Sequence, residues 1–380
     1  MVRPLDICIR GGGIVGLTLA LLMARSRLQV GLLATAPGSG PGTEPDIRAY
    51  ALNAESRSLL ESLRCWPGAE HATPVAAMQI YGDAGGEVRF DAVDFHAPAL
   101  AWIVDAAALH EQLEQAGRFA PEIERLAQPQ GAGLQIICEG GASASRSRLG
   151  AEVALTRYPQ HAVATRLRCA LPHGQVALQW FSQGEILGLL PIGGAQGNSV
   201  AIVWSVSQQR ALELLQMDPA EFCSRLRTAT HERLGEFELI SARCAWPLKL
   251  TQTDHWTGRT DGQSWALAGD AAHTVHPLSG QGLNLGLADA GELARVIGQR
   301  DYWRAVNDEK LLRRYERARK ADVMAMGLLT DGLQQLFARD GATWRAGRNL
   351  GMRGFERSGP LKHWMARHAM GRAPDRAPRA

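Results

Sequence analysis

Hydrophobic and polar positions near the amino terminus first alternate and then give way to a continuous apolar run. Residues 5–10 alternate as a strand does, and residues 17–26 form an apolar stretch of helical length without a breaking residue. A second strand-like run follows at residues 28–33. This order predicts a β-α-β unit at the start of the chain.

A glycine-rich turn lies between the first strand and the helix, and its spacing is G-x-G-x-x-G. Gly11 permits a tight turn, Gly13 lets backbone approach a pyrophosphate, and Gly16 lets helix and strand pack closely. The start of the helix also presents free N–H groups to phosphates. Ala34 replaces the acidic residue that usually binds the ribose. The predicted dinucleotide contacts are Gly11, Gly13, Ile14, Val15 and Gly16.

A second motif follows a short apolar strand at residues 265–268. Asp270 at the strand end can accept hydrogen bonds from a polyol chain, and the loop glycines admit a flat ring against backbone. The helix predicted at residues 283–297 points its positive end at that ring, which stabilises a negatively charged reduced flavin. The pattern suits FAD. The predicted contacts here are Asp270, Pro277, Gly280, Gln281, Gly282, Leu283 and Asn284.

Alternating runs between the two motifs predict an antiparallel sheet, which would form a substrate domain against the flavin ring. These runs cover residues 75–81, 87–92, 176–181, 186–192, 199–206 and 239–250. Helices are predicted at residues 219–234 and 324–337. The predicted domains are a discontinuous FAD-binding domain (1–72, 102–175 and 256–340), a substrate domain (73–101 and 176–255) and a C-terminal tail (341–380).

The composition is that of a folded protein of about two domains, because 46% of the 380 residues are apolar and the net charge is only +3. The chain has 41 glycines, about 11% against a usual ~7%. Such an excess indicates either loop material or close backbone approach to a ligand. Ten of these glycines fall in the segments predicted to surround FAD, which favours the ligand.

Charge is concentrated at the carboxyl end. Residues 341–380 carry nine Lys or Arg against Glu356 and Asp375, a balance of +7. Because apolar and aromatic residues are interspersed, this tail could contact a membrane surface or an acidic partner. The alternative is a solvated helix pair packed on the body. An arginine-rich composition with four lysines is no evidence for nucleic-acid binding.

The six cysteines form no C-x-x-C pair and indicate buried thiols in a reducing compartment. No signal peptide is evident, and the apolar stretch 14–24 is too short to span a bilayer. We therefore expect a cytoplasmic protein, with any membrane contact peripheral. His273 and His276 could suggest a metal pair, but no ligand set completes it and no metal is predicted.

The second motif resembles the GD signature of flavin-dependent aromatic hydroxylases, and more narrowly that of the ubiquinone-biosynthesis hydroxylases, a para-hydroxybenzoate-hydroxylase-like branch. Residues 46–52 resemble the family's DxRxxAL segment, which implies that Arg48 lies near the flavin or its pyrophosphate; from spacing alone, Arg48 could equally form a loop salt bridge. Residues 138–146 resemble a segment linked to FAD and NAD(P)H, with Glu139 in place of Asp. The residues that carry the GD signature are Gly269, Asp270, Ala271, Ala272, His273, Pro277, Gly280, Gln281, Gly282, Asn284, Gly286, Asp289 and Ala290.

The resemblance covers nearly the whole chain and implies an α/β fold. A Rossmann-like FAD-binding domain of the glutathione-reductase type would be interleaved with an antiparallel-sheet substrate domain, followed by a helical C-terminal tail. It also implies hydroxylation of a phenolic ring, in particular a polyprenylated quinone precursor, with NAD(P)H as transient co-substrate and O₂ as oxidant. A lipid-tailed substrate would also account for the basic tail, through contact with the inner membrane or a biosynthetic complex.

Two alternatives stay open at this stage. One is a related flavoprotein reductase acting on a prenyl lipid. The other is a non-catalytic subunit of a quinone-biosynthesis complex, which Ala34 and Ala106 would suit because both replace polar residues expected near FAD. An NAD-dependent dehydrogenase would leave the second motif unexplained. No catalytic acid or base can be assigned.

Overall fold

The computed structural model describes residues 4–34, 46–82, 85–182, 184–274, 280–338, 354–356 and 358–371. The strands of this part of the chain are β1 (Ile7–Arg10), β2 (Val30–Leu33), β3 (Ala49–Leu52), β4 (Ala72–Val75), β5 (Ala77–Tyr81), β6 (Glu87–Asp91), β7 (Ala101–Asp105), β8 (Ile123–Arg125), β9 (Leu134–Ile137), β10 (Val153–Cys169), β11 (Val176–Ser182), β12 (Glu185–Ile192), β13 (Ser199–Ser207), β14 (Phe237–Leu239), β15 (Cys244–Thr253), β16 (Thr257–Thr260), β17 (Gln263–Leu267) and β18 (His273–Thr274).

Helices connect these strands and cover the sheets. They are α1 (Ile14–Arg25), α2 (Ala54–Ser62), α3 (Ala106–Arg118), α4 (Ala144–Arg148), α5 (Gln208–Gln216), α6 (Pro219–Ala229), α7 (Gly282–Gly298), α8 (Glu309–Ala338) and α9 (Pro360–Ala369). None of the helices in the described ranges has both the length and the apolar character needed to cross a membrane.

A six-stranded sheet contains both glycine motifs at its strand ends. Its order is β16-β17-β9-β1-β2-β8, and all neighbours are parallel except the β16–β17 hairpin. Ile7 and Ile9 on one face of β1 and Cys8 on the other are fully buried, as expected for a parallel sheet covered on both faces. The predicted β-α-β unit is confirmed, since β1 and β2 pair in parallel with α1 between them.

A nine-stranded sheet forms the other large layer, in the order β18-β15-β10-β13-β12-β11-β5-β6, with β14 beside β10. Its strands are antiparallel except for the β11–β5 pair. Helices α5 and α6 cover one face, where Trp204 of β13 packs against Phe222 of α6. The alternating runs predicted for an antiparallel sheet all contain strands of this layer.

Strand β10 departs from the predicted domain division. The range 102–175 was predicted for the FAD-binding domain, but β10 runs through the middle of the nine-stranded sheet, between β13 and β15. Its apolar alternation is hidden by charged residues such as Arg157 and Arg166, and the register shifts between Arg157 and His161. The strand is therefore long and bent, with an exposed first half that gives no clear strand pattern.

A three-stranded sheet, β3-β7-β4, lies between the two large layers. Leu190 and Ile192 of β12 pack against Val75 and Ile103 of this small sheet. These contacts are on the face of the nine-stranded sheet opposite α5 and α6. They fix the position of β3 and of residues 46–48, which lead into it.

The C-terminal helices pack on the body. Helix α8 starts well before the predicted 324–337, because Leu312 and Tyr315 in its first turns are buried in the core. Helix α9 rests on the segment after β6, where Ala366 and Met370 contact Phe95. The predicted helical C-terminal region is thus present, although residues 339–353 and 372–380 lie outside the described residues.

Candidate functional site

The first glycine turn leaves open space where helix α1 begins. A Cβ added to Gly11, at φ +119°, would lie 2.3 Å from the carbonyl oxygen of Cys138, and one added to Gly16 would lie 2.0 Å from that of Gly11. In contrast, a Cβ on Gly13 would meet nothing within 4 Å. Two of the glycines are therefore required by packing, whereas Gly13 borders free volume.

The first N–H groups of α1 border this free volume, and no hydrogen-bond partner for them is present in the described part of the chain. Helix α1 has no side-chain cap and no acidic residue in its first turn, which begins at Ile14. Its first N–H groups and the positive end of its dipole are available to an anion. A ring nitrogen of His110 lies 2.9 Å from the carbonyl oxygen of Gly12 and holds the turn from the side.

Val15 joins the first glycine turn to the second motif. Its side chain would lie 3.3 Å from a Cβ on Gly269 and 2.8 Å from one on Gly286. Gly269 follows β17 with φ +63°, and Gly286 lies in α7. Absence of side chains at both positions lets α1, α7 and the turn after β17 meet around one valine.

Asp270 stands at the end of this turn. The residue is accessible to solvent, although protein atoms lie close around its carboxyl group. Desolvation raises the pKa of its carboxyl group, and the nearby side chains of His273, Arg48 and Lys249 offset only part of that effect. An acceptor of this kind, open and without a protein hydrogen bond among the described residues, is available to a hydroxyl-bearing ligand.

A buried carboxylate, Asp289 of α7, fixes the turn that carries Asp270. Its Oδ2 accepts hydrogen bonds from the N–H of Gly269 at 2.9 Å and from His273 Nε2 at 2.7 Å, and its Oδ1 accepts from Arg319 Nε at 2.8 Å. Burial opposes ionisation, but His273 and Arg319 outweigh it and lower the pKa of Asp289. Trp256 stacks on His273, with ring centroids 4.9 Å apart.

Asn284 uses its side chain to anchor the start of α7. Its Oδ1 accepts from the N–H of Asn53 at 3.0 Å and from Ser56 Oγ at 2.7 Å. Its Nδ2 donates to the carbonyl of Ala51 at 2.8 Å and to Gln281 Oε1 at 3.1 Å. The amide predicted to contact a cofactor is thus bonded to protein, which ties α7 to β3 and α2.

The loop before α7 is described only from Gly280 onward. Gly280 adopts φ +60° beside Ala51, Gln281 precedes the helix, and α7 begins at Gly282, followed by Leu283. Pro277, also predicted to contact the flavin, and His276 lie outside the described residues.

Arg48 lies close enough to Asp270 to affect its pKa, and it also forms the loop salt bridge that spacing alone allowed. Its Nη2 is 2.7 Å from Asp46 Oδ2, and hydrogen bonding to Asp46 raises the pKa of the guanidinium. Arg166 of β10 holds this segment by donating to the carbonyls of Ile47 at 2.9 Å and Arg48 at 3.2 Å. Arg166 also pairs with Asp105 at 2.6 Å, which caps α3.

Residues 138–146 form a second buried polar cluster. Glu139 accepts hydrogen bonds from Ser143 Oγ and Ser145 Oγ, both at 2.7 Å, and so closes the start of α4. Arg146 donates to the carbonyls of Ala271 at 2.9 Å and Gly141 at 3.1 Å. Its Nε is buried and has no hydrogen-bond partner within the described ranges, and burial lowers the pKa of the guanidinium.

The arrangement fits a long anionic dinucleotide. The described residues include no group of three or more His, Cys, Asp or Glu side chains that could hold a metal. They do include a free helix start, open volume at Gly13 and an exposed acceptor at Asp270, all on one edge of the six-stranded sheet.

Comparison with known proteins shows the family to which the chain belongs. Residues 131–327, just over half of the chain, match the FAD binding domain family. The chain belongs to that family. The prediction of an FAD-binding protein is confirmed, as are its α/β fold and its place among FAD-dependent monooxygenases.

Similarity to individual proteins extends along the chain. An uncharacterized protein of Synechocystis is 30% identical over 88% of this chain and 85% of its own length. The 3-demethoxyubiquinol 3-hydroxylase of Escherichia coli is 29% identical over 97% of this chain and 99% of its own. The solved structure of pqsL, a probable FAD-dependent monooxygenase from Pseudomonas aeruginosa, has the same fold, with a TM-score of 0.72, 21% identity, and coverage of 92% of this chain and 99% of that one.

Sequence reasoning did not assign a role to Arg166, Asp289 or Arg319. Asp289 carried a signal, since it is an acidic residue inside a largely apolar helix and therefore needs a buried partner. Arg166 carried none, because its partners at residues 47, 48 and 105 are far away in sequence.

Proposed function

We propose that this flavoprotein hydroxylates a phenolic ring of a polyprenylated quinone precursor, using NAD(P)H and O₂. The end-to-end similarity to the E. coli 3-demethoxyubiquinol 3-hydroxylase carries the proposal, because it includes both the cofactor-binding layer and the nine-stranded sheet. Other relatives that match along nearly the whole chain include a ubiquinone biosynthesis monooxygenase from Drosophila melanogaster, 26% identical over 96% of this chain.

The FAD pyrophosphate would lie on Gly11, Gly13 and the first turn of α1, at Ile14 and Val15. The open volume at Gly13 and the unpaired N–H groups support this placement. Gly16 would act only through packing, since an added Cβ would overlap the carbonyl of Gly11.

The ribityl chain would bind to Asp270, and the flavin ring would lie against Pro277, Gly280, Gln281, Gly282 and Leu283. Arg48 would face the cofactor from the other side, and Asn284 would hold the helix start in place through its bonds to protein. The positive end of α7 then favours negative charge on the ring. FAD supplies the redox chemistry that joins NAD(P)H oxidation to O₂ activation.

The chain's own residues would orient the phenol and exclude water. The face of the nine-stranded sheet opposite α5 and α6 points towards the cofactor segments, because Arg166 reaches residues 47 and 48 from that face. Gly188 on the same face is open, with only the carbonyl of Val203 within 4 Å of an added Cβ. A flat ring between this face and the flavin would be shielded from solvent on both sides.

A substrate with a prenyl tail resides in a lipid bilayer. The basic C-terminal region would bring the protein to the surface of that bilayer. We therefore place the protein in the cytoplasm at the periphery of the inner membrane, with a biosynthetic complex as a second possible contact of the same region.

The test is an absorption spectrum of the purified protein, followed by a turnover assay. Purified protein should show flavin absorption, and NAD(P)H oxidation under ¹⁸O₂ with a prenylated phenol should give product with one labelled oxygen. Oxidation of NAD(P)H without oxygen incorporation would contradict hydroxylation and indicate the reductase. Protein that stays colourless after addition of FAD would indicate a non-catalytic subunit.

A further inference from the structure

Helix α9 has one face that is buried and one that carries aromatic and basic side chains outward. Ala366 and Met370 pack under the helix against Phe95. The outward side chains border a shallow groove of about 270 Å³. They are Trp364, Arg367 and His368, with His363 at the edge of the groove, where its ring also contacts Phe95 with centroids 4.9 Å apart.

One cation on the outward face, Arg367, has no matching acid among the described residues. Within the described residues, Arg367 is exposed and makes no ion pair, whereas nearby Glu356 is paired with Lys362 at 2.7 Å and Asp91 with Arg89 at 2.7 Å. The sequence from 360 to the end adds further positive charge against Asp375 alone. The basic residues in that stretch are Lys362, Arg367, Arg372, Arg376 and Arg379.

Trp364 is the apolar component of this face. Its side chain is exposed by 47%, and its ring centroid lies 4.2 Å from that of His368. Tryptophan is favoured at the boundary between lipid headgroups and acyl chains, because one edge of the indole is polar and the rest is apolar. Here the ring lies between basic side chains on one helix face, the pattern of a helix that lies flat on a membrane.

We infer that the outward face of α9 docks on an anionic phospholipid surface. The unpaired guanidinium of Arg367 matches a lipid phosphate, and Trp364 supplies the apolar insertion that a purely electrostatic contact would lack. A soluble acidic protein would account for Arg367 but would not require an exposed indole beside it.

Docking would place the membrane beside the face of the nine-stranded sheet that lies opposite α5 and α6. The segment just before α9 lies on that face, where Phe355 packs against Phe181 and Ile186, and Glu356 accepts from the N–H of Arg89 at 3.2 Å. At its other end α9 meets the cofactor side, since the carbonyl of Met370 accepts from the N–H of Ala54 at 3.3 Å. The use of this arrangement to admit a lipid-tailed phenol rests on the proposed function, whereas the docking itself does not.

The experiment is co-sedimentation of the full-length holoprotein with phosphatidylcholine vesicles, with and without phosphatidylglycerol. We expect binding only when phosphatidylglycerol is present, and we expect salt to weaken it. Arg367→Glu should reduce the binding constant by more than about tenfold, since each charge near the surface contributes about fivefold. Trp364→Ala should reduce it by about tenfold.

Matched controls are Trp303→Ala and Arg225→Glu. Trp303 is 67% exposed in the connection between α7 and α8, and Arg225 is exposed on α6. Both controls should bind as the wild type does, and thermal unfolding should show that all four variants are folded. Equal binding to vesicles without phosphatidylglycerol, unaltered binding of the α9 variants, or an equal loss in the controls would overturn the inference.

Turnover separates this inference from the proposed function. The α9 variants should oxidise NAD(P)H with a short-chain, water-soluble phenol at the wild-type rate in the absence of vesicles. If no form of the protein hydroxylates any phenol while the vesicle results are as expected, the proposed function fails and the docking surface stands.

Discussion

The buried carboxylate of Asp289 accepts a hydrogen bond from the backbone N–H of Gly269, 2.9 Å away. This bond joins helix α7 to the turn that presents Asp270. Because Arg319 of α8 and His273 bind the same carboxylate, three elements depend on one side chain for their relative position.

Replacement of Asp289 by Asn should weaken FAD binding and destabilise the fold together. The amide keeps an acceptor for the Gly269 N–H but leaves Arg319 buried beside a neutral group, which costs about 3–5 kcal/mol. The dissociation constant for FAD, measured by flavin fluorescence, should rise at least tenfold, and the unfolding temperature should fall. The matched control is Asp322→Asn, which removes the exposed partner of the same arginine and should change stability by less than about 0.5 kcal/mol. Equal effects of the two variants would show that the buried bonds of Asp289 have no special role.

The same carboxylate predicts a contribution to acid stability. The folded pKa of Asp289 is lowered, so its stabilisation is present above the unfolded pKa of about 3.9 and is lost as the pH falls through the lower folded value. In denaturant titrations between neutral and acid pH, the wild type should lose stability below about pH 4 more steeply than Asp289→Asn. Parallel curves for the two proteins would refute this.

Alanine substitution should destabilise the fold at Gly16 and should weaken only FAD binding at Gly13. A Cβ at Gly16 would overlap the carbonyl of Gly11, so Gly16→Ala should lower the unfolding temperature markedly. A Cβ at Gly13 meets open space and the backbone has φ −78°, so Gly13→Ala should fold normally. If the pyrophosphate occupies that space, Gly13→Ala should nevertheless lose FAD affinity. Normal affinity in this variant would place the pyrophosphate elsewhere.

Asp270→Asn should stabilise the FAD-free protein while weakening FAD binding. The folded pKa of Asp270 is raised by partial desolvation, so its ionised form is disfavoured in the folded state at neutral pH. A neutral amide removes this cost, and the unfolding temperature of the apoprotein should rise at pH 7. The gain should shrink as the pH falls from the raised folded pKa to the unfolded value of about 3.9, below which the wild-type carboxyl is protonated in both states. An apoprotein made less stable at pH 7 by this substitution would show that ionised Asp270 stabilises the fold, the opposite of what its raised pKa predicts.

Arg166→Lys should disturb Arg48 without disturbing the nine-stranded sheet. The guanidinium makes three bonds, to Asp105 and to the carbonyls of residues 47 and 48, and an ammonium group cannot reproduce that fork. FAD affinity should fall severalfold, with an unfolding temperature close to that of the wild type. Arg168→Lys, on the same strand in an exposed pair with Glu238, is the control and should retain full affinity.

Local patterns were enough to predict the β-α-β unit, both glycine motifs and the antiparallel runs. Each depends on neighbours within one element or one turn, such as Gly11 and Gly16 around the start of α1. The place of β10 in the nine-stranded sheet could not be predicted, because the charges of Arg157 and Arg166 interrupt its alternation and its partners β13 and β15 follow later in the chain.

The residues of the cofactor site stay a prediction, and the bonds that hold these residues in place could not be predicted from the sequence. Asn284 was predicted to bind cofactor, and its amide is bonded to protein: to Gln281 at the start of its own helix, and to Asn53, Ser56 and Ala51, which are more than 200 residues away in sequence. The type of a polar residue suggests that it has a partner, but only the folded chain shows which one.

The contact of Val15 with Gly269 and Gly286 also has a consequence for synthesis of the protein. The two partners of Val15 follow roughly 250 residues later in the chain, and contacts between residues so far apart in sequence form slowly during folding. Most of the polypeptide must therefore have left the ribosome before the two halves of the predicted cofactor site can meet. Nascent chains that stop before α7 should be unable to retain FAD, and the flavin should be acquired only near the end of translation.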